Sequence, residues 1–276
     1  MKRLGVLGWP VAHSRSPAMQ RAAFAELGLD DWSYQLLPVP PELFDETVRA
    51  LGAAGFVGAN VTVPHKEAAL ALSDRASASA RAIGAANTLS IADDGTITAE
   101  NTDAPGLLDA LAAVGRDPAG ASALVLGAGG SARAVVWALR EAGADVAVWN
   151  RTPERARRLA EDLGVRAVER AEPAILLVNC TTVGLGGCSS ESKVGFTSLP
   201  VDADAVGEYA CLVDLVYSDR PTSLLQAALD RGLETVDGLE ILVHQGARSF
   251  TTWTGRRAPV AAMRRGARRA TRIQER

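Results

Sequence analysis

The chain has 276 residues, of which 47% are hydrophobic and 22% charged, enough for one large or two medium globular domains and too apolar for a disordered chain. Its formal net charge of −3 excludes a protein-wide field for nucleic acid. No run approaches the ~20 apolar residues of a membrane span.

The chain starts Met-Lys-Arg, and Trp9-Pro10 with His13 to Arg15 interrupts the first apolar stretch before a signal-peptide core forms. Short β-rich runs then alternate with amphipathic segments. Strands are expected at Leu4 to Leu7, Tyr34 to Val39, Asn60 to Val63, Leu89 to Ile91 and Thr96 to Glu100, and helices at Pro17 to Leu27 and Pro41 to Ala53. Strands separated by helices predict parallel pairing. Asp93-Asp94-Gly95 predicts a hairpin turn, since such residues tolerate positive φ.

A helix from Asp103 to about Gly120 is the expected link to a second α/β unit. That unit has strands at Ala123 to Leu126, Asp145 to Trp149, Ile175 to Asn179 and Leu212 to Val216, with helices at Ser131 to Ala142 and Pro153 to Leu163, the rhythm of a doubly wound sheet. Cys180 and Cys211 fall in these apolar runs and are expected to be buried thiols. With Cys188 they show neither a disulfide framework nor metal-ligand spacing, so a cytoplasmic protein without a metal is expected. From Gly184 to Leu199 the composition turns to Gly, Ser and Thr, which predicts a mobile surface loop. Leu239 through Trp253 predicts a long helix packing back across both halves. Arg264, Arg265, Arg268, Arg269, Arg272 and Arg276 predict the wet face of a terminal helix.

Gly127-Ala128-Gly129-Gly130-Ser131-Ala132 follows a strand and opens a helix, a dinucleotide fingerprint with Ala in its third glycine slot. Gly127 allows the tight turn, Gly129 lets backbone approach a pyrophosphate, and the helix N-terminus favours the phosphate charge. At the end of the next strand stand Asn150, Arg151 and Thr152. A guanidinium there pairs with a 2′-phosphate, so NADP is the expected cofactor. The competing reading of Arg151 is a surface arginine balancing Glu154.

Polar clusters also interrupt the apolar pattern at element ends: His13 to Pro17, Asn60 to Lys66 and Asn101 to Asp103. Ligands bind at strand ends of α/β sheets. Each cluster alone has a plainer reading: Ser16 as a helix N-cap, Asn60 to Pro64 as a strand closed by a turn, and Asp103 as a helix cap.

Taken in order, His-Ser-Arg-Ser-Pro at 13–17, Asn-Val-Thr-Val-Pro-His-Lys at 60–66, Gly-Ala-Ala-Asn-Thr-Leu at 84–89 and Asn-Thr-Asp at 101–103 resemble the shikimate dehydrogenase family. The resemblance continues through the glycine loop at 127–131, Asn-Arg-Thr at 150–152, Asp-Leu-Val-Tyr at 214–217 and Val-His-Gln-Gly-Ala at 243–247. It implies an α/β protein of two domains: residues 1–105 binding substrate, 106–238 forming a Rossmann-type doubly wound NADP domain, and 239–276 returning as helix to complete the first. It implies NADP-dependent, reversible reduction of 3-dehydroshikimate to shikimate, a step toward chorismate and the aromatic amino acids. Ser14 and Ser16 would hold the substrate carboxylate. Thr62, Lys66, Asn87, Asp103 and Gln245 would gather around the ring hydroxyls, with Tyr217 a further substrate neighbour. Leu215 and Gly238 would line the nicotinamide end, beside the cofactor contacts of Gly127, Ala128, Gly129, Gly130, Ser131, Asn150, Arg151 and Thr152. Lys66 is the expected proton donor and Asp103 its partner.

The sequence departs from the family in places. Gln20-Arg21 replaces the frequent His-Asn, on a helix flank that need not touch ligand, and Thr182 replaces the usual Pro or Ser of an Asn-x-Thr-Pro-x-Gly segment. The loop that follows, to about Ser198, is longer and richer in glycine. His13 and His65 have no evident partner and no expected catalytic role. The resemblance is compatible with a monomer or homodimer. Competing readings are a quinate or aminoshikimate dehydrogenase and an NADP-binding sensor without turnover, which the presence of both Lys66 and Asp103 disfavours.

Overall fold

A computed structural model of the chain describes residues 1–184, 196–218 and 220–273, with side chains to 269. Most of the expected glycine-rich loop, including Leu185 and Cys188, lies outside the described residues, as do the Arg272 side chain and Arg276.

In chain order the elements are β1 (Lys2–Gly8), α1 (Ser16–Glu26), β2 (Trp32–Pro38), α2 (Phe44–Ala50), β3 (Phe56–Val61), α3 (Lys66–Ala71), β4 (Arg75–Ala76), α4 (Ala78–Ile83), β5 (Thr88–Ile91), β6 (Ile97–Glu100) and α5 (Asp103–Ala113). They continue with β7 (Ser122–Leu126), α6 (Gly130–Glu141), β8 (Asp145–Trp149), α7 (Pro153–Leu163), β9 (Arg166–Ala167), β10 (Leu176–Asn179), β11 (Cys211–Asp214), α8 (Ser223–Asp230), β12 (Glu234–Val236), α9 (Gly238–Thr254) and α10 (Val260–Ile273). The chain divides into two compact units, Met1–Gly106 with Leu242–Arg276, and Leu107–Ile241.

The first unit holds a six-stranded sheet in the order β2-β1-β3-β5-β6-β4. β1 pairs parallel with β2 and β3, as the helical connections require. The expectation of parallel pairing fails between β3 and β5, which run antiparallel. β5 and β6 form the predicted hairpin, whose turn glycine, Gly95, takes φ 84°. Leu7, Phe44, Val48, Phe56, Val61, Leu89 and Ile97 fill the core on one side of this sheet. α1 and α10 approach closely at Gly266, where a Cβ would stand 2.7 Å from both Ala18 O and Ala22 Cβ. On α10, Arg265, Arg268 and Arg269 are exposed, and Met263 and Ala267 are buried.

Several boundaries differ from the sequence reading for local reasons. The helix expected from Pro41 to Ala53 divides into a 3₁₀ turn at Pro41–Leu43 followed by α2. β3 begins at Phe56 and stops at Val61, before Pro64, which has no N–H for a ladder. α5 ends at Ala113 rather than near Gly120, since Gly115 turns the chain with φ 75°. α3, α4 and α8 were not anticipated; Ser77 and Thr222 cap α4 and α8 by accepting from Ala80 N and Leu225 N, each at 3.1 Å.

The second unit has the strand order β12-β11-β10-β7-β8-β9 with every pair parallel. Its two halves diverge from the β7/β10 junction, the Rossmann switch point. α7 follows the predicted bounds: Pro153 opens it, and Gly164 closes it at φ 64°. β11 stops at Asp214, two residues before the expected end, because Asp214 Oδ1 accepts from Val216 N at 3.0 Å and turns the chain. Cys180 is half-buried just past β10 instead of within it, whereas Cys211 is fully buried, which pushes its thiol up to about 11.

Candidate active site

Strand register in the first unit brings the polar clusters to one edge. Leu7 pairs with Val61 at the ends of β1 and β3, Asn60 with Thr88 at the start of β5, and Thr88 with Glu100 at the end of β6. The segments carrying Ser14 and Ser16, Thr62 and Lys66, Asn87, and Asp103 all leave the sheet at that edge.

Lys66 Nζ lies 2.5 Å from Asp103 Oδ2, with side-chain exposures of 9% and 15%. Asn87 Nδ2 donates to Asp103 Oδ1 at 2.8 Å and reaches Gln245 Oε1 at 3.3 Å. Gln245 sits where a Cβ on Gly106 would come 2.7 Å from its Cα and N, so only glycine lets α5 and α9 approach this closely. Thus Lys66, Asp103, Asn87 and Gln245 form one hydrogen-bonded group, largely removed from water. Thr62 is half-buried four residues before Lys66, its N–H bonded to Leu7 O at 2.8 Å.

Ser14 Oγ donates to Ser16 Oγ at 3.2 Å and accepts from Ser16 N at 3.3 Å. The N-cap reading of Ser16 is corrected: it is the first residue of α1, Arg15 occupies the cap position, and no side chain caps this helix. A further correction concerns a buried side chain. His65 does have partners: its Nε2 is 2.8 Å from Val39 O and its ring stacks on Phe44 at 4.3 Å. Burial holds its pKa below the ordinary value, although the Val39 bond pulls upward. Gln20, on the flank of α1, is fully buried and donates to Gly246 O at 3.1 Å.

The second unit gathers the expected cofactor residues at the carboxyl ends of its parallel strands. Gly127 has φ 112°, and a Cβ there would lie 3.1 Å from Cys180 C and O. Gly129 precedes α6 with no side-chain cap and with nothing within 4 Å of a Cβ. Its neighbours Ala128, Gly130 and Ser131 are half-buried around this uncapped helix start, a fit for a pyrophosphate. Asn150 Nδ2 donates to Thr152 O at 2.9 Å, which shapes the turn carrying exposed Arg151. Glu154 pairs with Arg157, and Arg151 has no ion-pair partner among the described residues, which leaves its guanidinium available for a phosphate.

Leu215 N donates to Asn179 O at 2.9 Å, and a Cβ on Gly238 would stand 2.5 Å from Leu215 O. Leu215 and Gly238 are therefore neighbours, with half-buried Tyr217 on the same segment. Tyr217, expected among the substrate residues, belongs to this unit, whereas the Lys66 group belongs to the first.

The sequence reading gave no role to several buried polar side chains. Asp214 is fully buried and accepts from Asn179 Nδ2 at 2.9 Å and from Thr222 Oγ1 at 2.5 Å. Thr88, Thr102 and Asn60 stand behind Asn87. Their signal was a polar residue inside or beside a strand whose neighbours are apolar.

Models of known families match in three stretches: the shikimate dehydrogenase substrate binding domain over residues 6–89, shikimate / quinate 5-dehydrogenase over 110–177, and the shikimate 5'-dehydrogenase C-terminal domain over 238–267. A curated relative from one strain of Thermus thermophilus, named shikimate dehydrogenase (NADP(+)), is 47% identical over 98% of this chain and 99% of its own. The chain belongs to the shikimate dehydrogenase family. Among solved structures, the shikimate 5-dehydrogenase of a second Thermus thermophilus strain, in complex with NADP(H) and shikimate, superposes with a TM-score of 0.87 at 46% identity, covering 98% of this chain and 100% of that one. The ligand-free 5-ketofructose reductase of a Gluconobacter strain gives 0.83 at 30% identity, covering 97% and 98%. Among the described residues of this family member, no helix is long and apolar enough to cross a membrane.

Proposed function

We propose that this chain is an NADP-dependent shikimate dehydrogenase that reversibly reduces 3-dehydroshikimate to shikimate, with Lys66 and Asp103 as the catalytic pair. Residues 1–105 with the returning segment 239–276 bind the substrate, and residues 106–238 bind the cofactor. The observation that carries the reading is the sheltered ion pair of Lys66 and Asp103, braced by Asn87.

NADPH supplies the hydride when bound. The ketone carbon becomes an alcohol carbon and its oxygen needs one proton, which the Lys66 ammonium gives. Asp103 holds that ammonium by one hydrogen, and another turns toward the oxygen. Ser14 and Ser16 bind the carboxylate through hydroxyls, and Thr62, Asn87 and Gln245 bind ring hydroxyls, with Tyr217 as a further contact. Arg151 receives the 2′-phosphate, Asn150 and Thr152 shape its turn, and Gly127 to Ser131 take the pyrophosphate. Leu215 and Gly238 line the nicotinamide end.

The protein works as a monomer or homodimer in the cytoplasm, a reducing compartment that suits the thiols of Cys180 and Cys211. The test is NADPH absorbance with shikimate, quinate and an aminated shikimate, each with NADP and with NAD. Turnover of shikimate with NADP far above every other pair is the expected result. Faster turnover of another ring, or NADP binding without any turnover, overturns it.

A further inference from the structure

We propose that Thr88 and Thr102 are positioning residues that fix the direction of the Asn87 carboxamide, so that Asp103 meets an amide hydrogen and not an amide oxygen. The proposal rests on the function just stated and deepens it.

The direction follows from the donors that converge on Asn87 Oδ1. The main-chain N–H of Thr102 points to Asn87 Oδ1 at 2.7 Å. The hydroxyls of Thr102 and Thr88 lie 3.1 and 3.3 Å from the same oxygen, and Thr102 Oγ1 also accepts from Asn87 Nδ2 at 3.0 Å. Asn87 Nδ2 must therefore face Asp103 Oδ1 and Gln245 Oε1, both acceptors. A flipped carboxamide would set oxygen against carboxylate oxygen on one side and amide hydrogen against the Thr102 N–H on the other. In a buried site both mismatches are unfavourable.

Behind the two threonines the network continues in the same sense. Tyr34 O–H donates to Asn60 Oδ1 at 2.8 Å, which orients Asn60 Nδ2 toward Asn87 O, Thr88 Oγ1 and Ser249 Oγ at 3.1 to 3.2 Å. With a lone pair of Thr88 engaged by Asn60, its hydrogen turns to Thr102 Oγ1, 3.1 Å away, or to Asn87 Oδ1. Thr88, Thr102 and Asn60 are 0%, 4% and 5% exposed, so water does not compete. The main course of donors runs from Tyr34 through Asn60 and Thr88 to Asn87 and the Asp103 carboxylate, with one return bond from Asn87 Nδ2 to Thr102 Oγ1, and each donor polarises the next. Thr88 and Thr102 act through Asn87 and not on a reacting atom.

The experiment compares Thr102→Val and Thr88→Val, which remove a hydroxyl at nearly constant shape, with Thr102→Ser and Thr88→Ser, which keep it. The valine proteins are expected to lose about five- to tenfold in kcat for 3-dehydroshikimate reduction, the scale of one neutral hydrogen bond. Their KM for NADPH should stay at the wild-type value, and the serine proteins should recover wild-type kcat. If a valine protein does not fold, Thr88→Ala and Thr102→Ala read the same loss without adding a methyl group beside Asn60. Unchanged kcat without the hydroxyl, or serine proteins as slow as the valine ones, overturns the proposal. A wild-type protein with no shikimate turnover overturns the assigned function instead.

Discussion

Lys66 Nζ and Asp103 Oδ2 approach to 2.5 Å across two elements that begin at these residues, α3 at Lys66 and α5 at Asp103. The pair is sheltered from water and Asn87 occupies the other carboxylate oxygen, so the ammonium is held by charge and direction together. Lys66→Ala should therefore lower kcat by about 10²–10⁴, the usual contribution of a positioned general acid. NADPH affinity should not change. Steady-state kinetics together with fluorescence titration of NADPH check both parts; near-normal kcat in folded Lys66→Ala removes lysine from the mechanism.

Arg151 follows β8 on an exposed turn, and its neighbour Glu154 is engaged by Arg157. A guanidinium bound to a phosphate contributes about 1.5–3 kcal/mol, so Arg151→Ala should raise KM for NADPH by about ten- to a hundredfold. KM for NADH should stay where it was, because that cofactor lacks the phosphate. Equal loss with both cofactors would assign Arg151 to the shape of the turn and not to phosphate recognition.

Most of this architecture could be read before the structure because its signals are local. α7 announced both of its ends through Pro153 and Gly164, and Gly127 to Ala132 declared a strand-to-helix turn. The antiparallel course of β5 was not legible, since α3 and α4 connect it to β3 much as a crossover helix would. The helices of α3, α4 and α8 are too short for a clear period. In the site, motif residues such as Lys66, Asn87, Asp103 and Gln245 stood out, whereas Thr88 and Thr102, inside the same motifs, carried no role of their own. Thr88 and Thr102 acquire their meaning only through register, which sets Thr88 opposite both Asn60 and Glu100. His65 looked partnerless because Val39 and Phe44 lie far from it in sequence.

Gly127 and Gly129 serve different ends, and alanine separates them. At Gly127 the backbone has φ 112° and a Cβ would press on Cys180 at 3.1 Å, so Gly127→Ala should lose about 1–3 kcal/mol of stability along with cofactor affinity. Gly129 has φ −93° and ψ −175°, and open space where a Cβ would go. Gly129→Ala should therefore melt at the wild-type temperature yet bind NADPH at least about tenfold more weakly, because the methyl group blocks the approach of the pyrophosphate. Thermal melts and NADPH titrations of both variants supply the comparison; unchanged binding by Gly129→Ala would move the phosphates away from this loop.

Asp214 supplies a pH test of the second unit. Burial raises its pKa from 3.8 to about 6, against the opposing pull of Thr222 Oγ1, Val216 N and Asn179 Nδ2, while the charge of Asp237 adds to the rise. The native state thus holds this proton more tightly than the unfolded chain does. The stabilisation from that proton is complete below about pH 4, where even the unfolded chain is protonated, and it is lost as pH rises through about 6. Asp214→Asn carries no titrating group there, so it serves as the flat reference. On lowering the pH from 7 to 4, wild type should gain stability relative to Asp214→Asn, by roughly 3 kcal/mol at the limit. Urea unfolding of both proteins across this range measures the difference directly, which cancels the acid sensitivity they share. A difference that runs the other way would mean that the three donors outweigh burial and that Asp214 stays ionised as the anchor of the Asn179–Thr222 bridge.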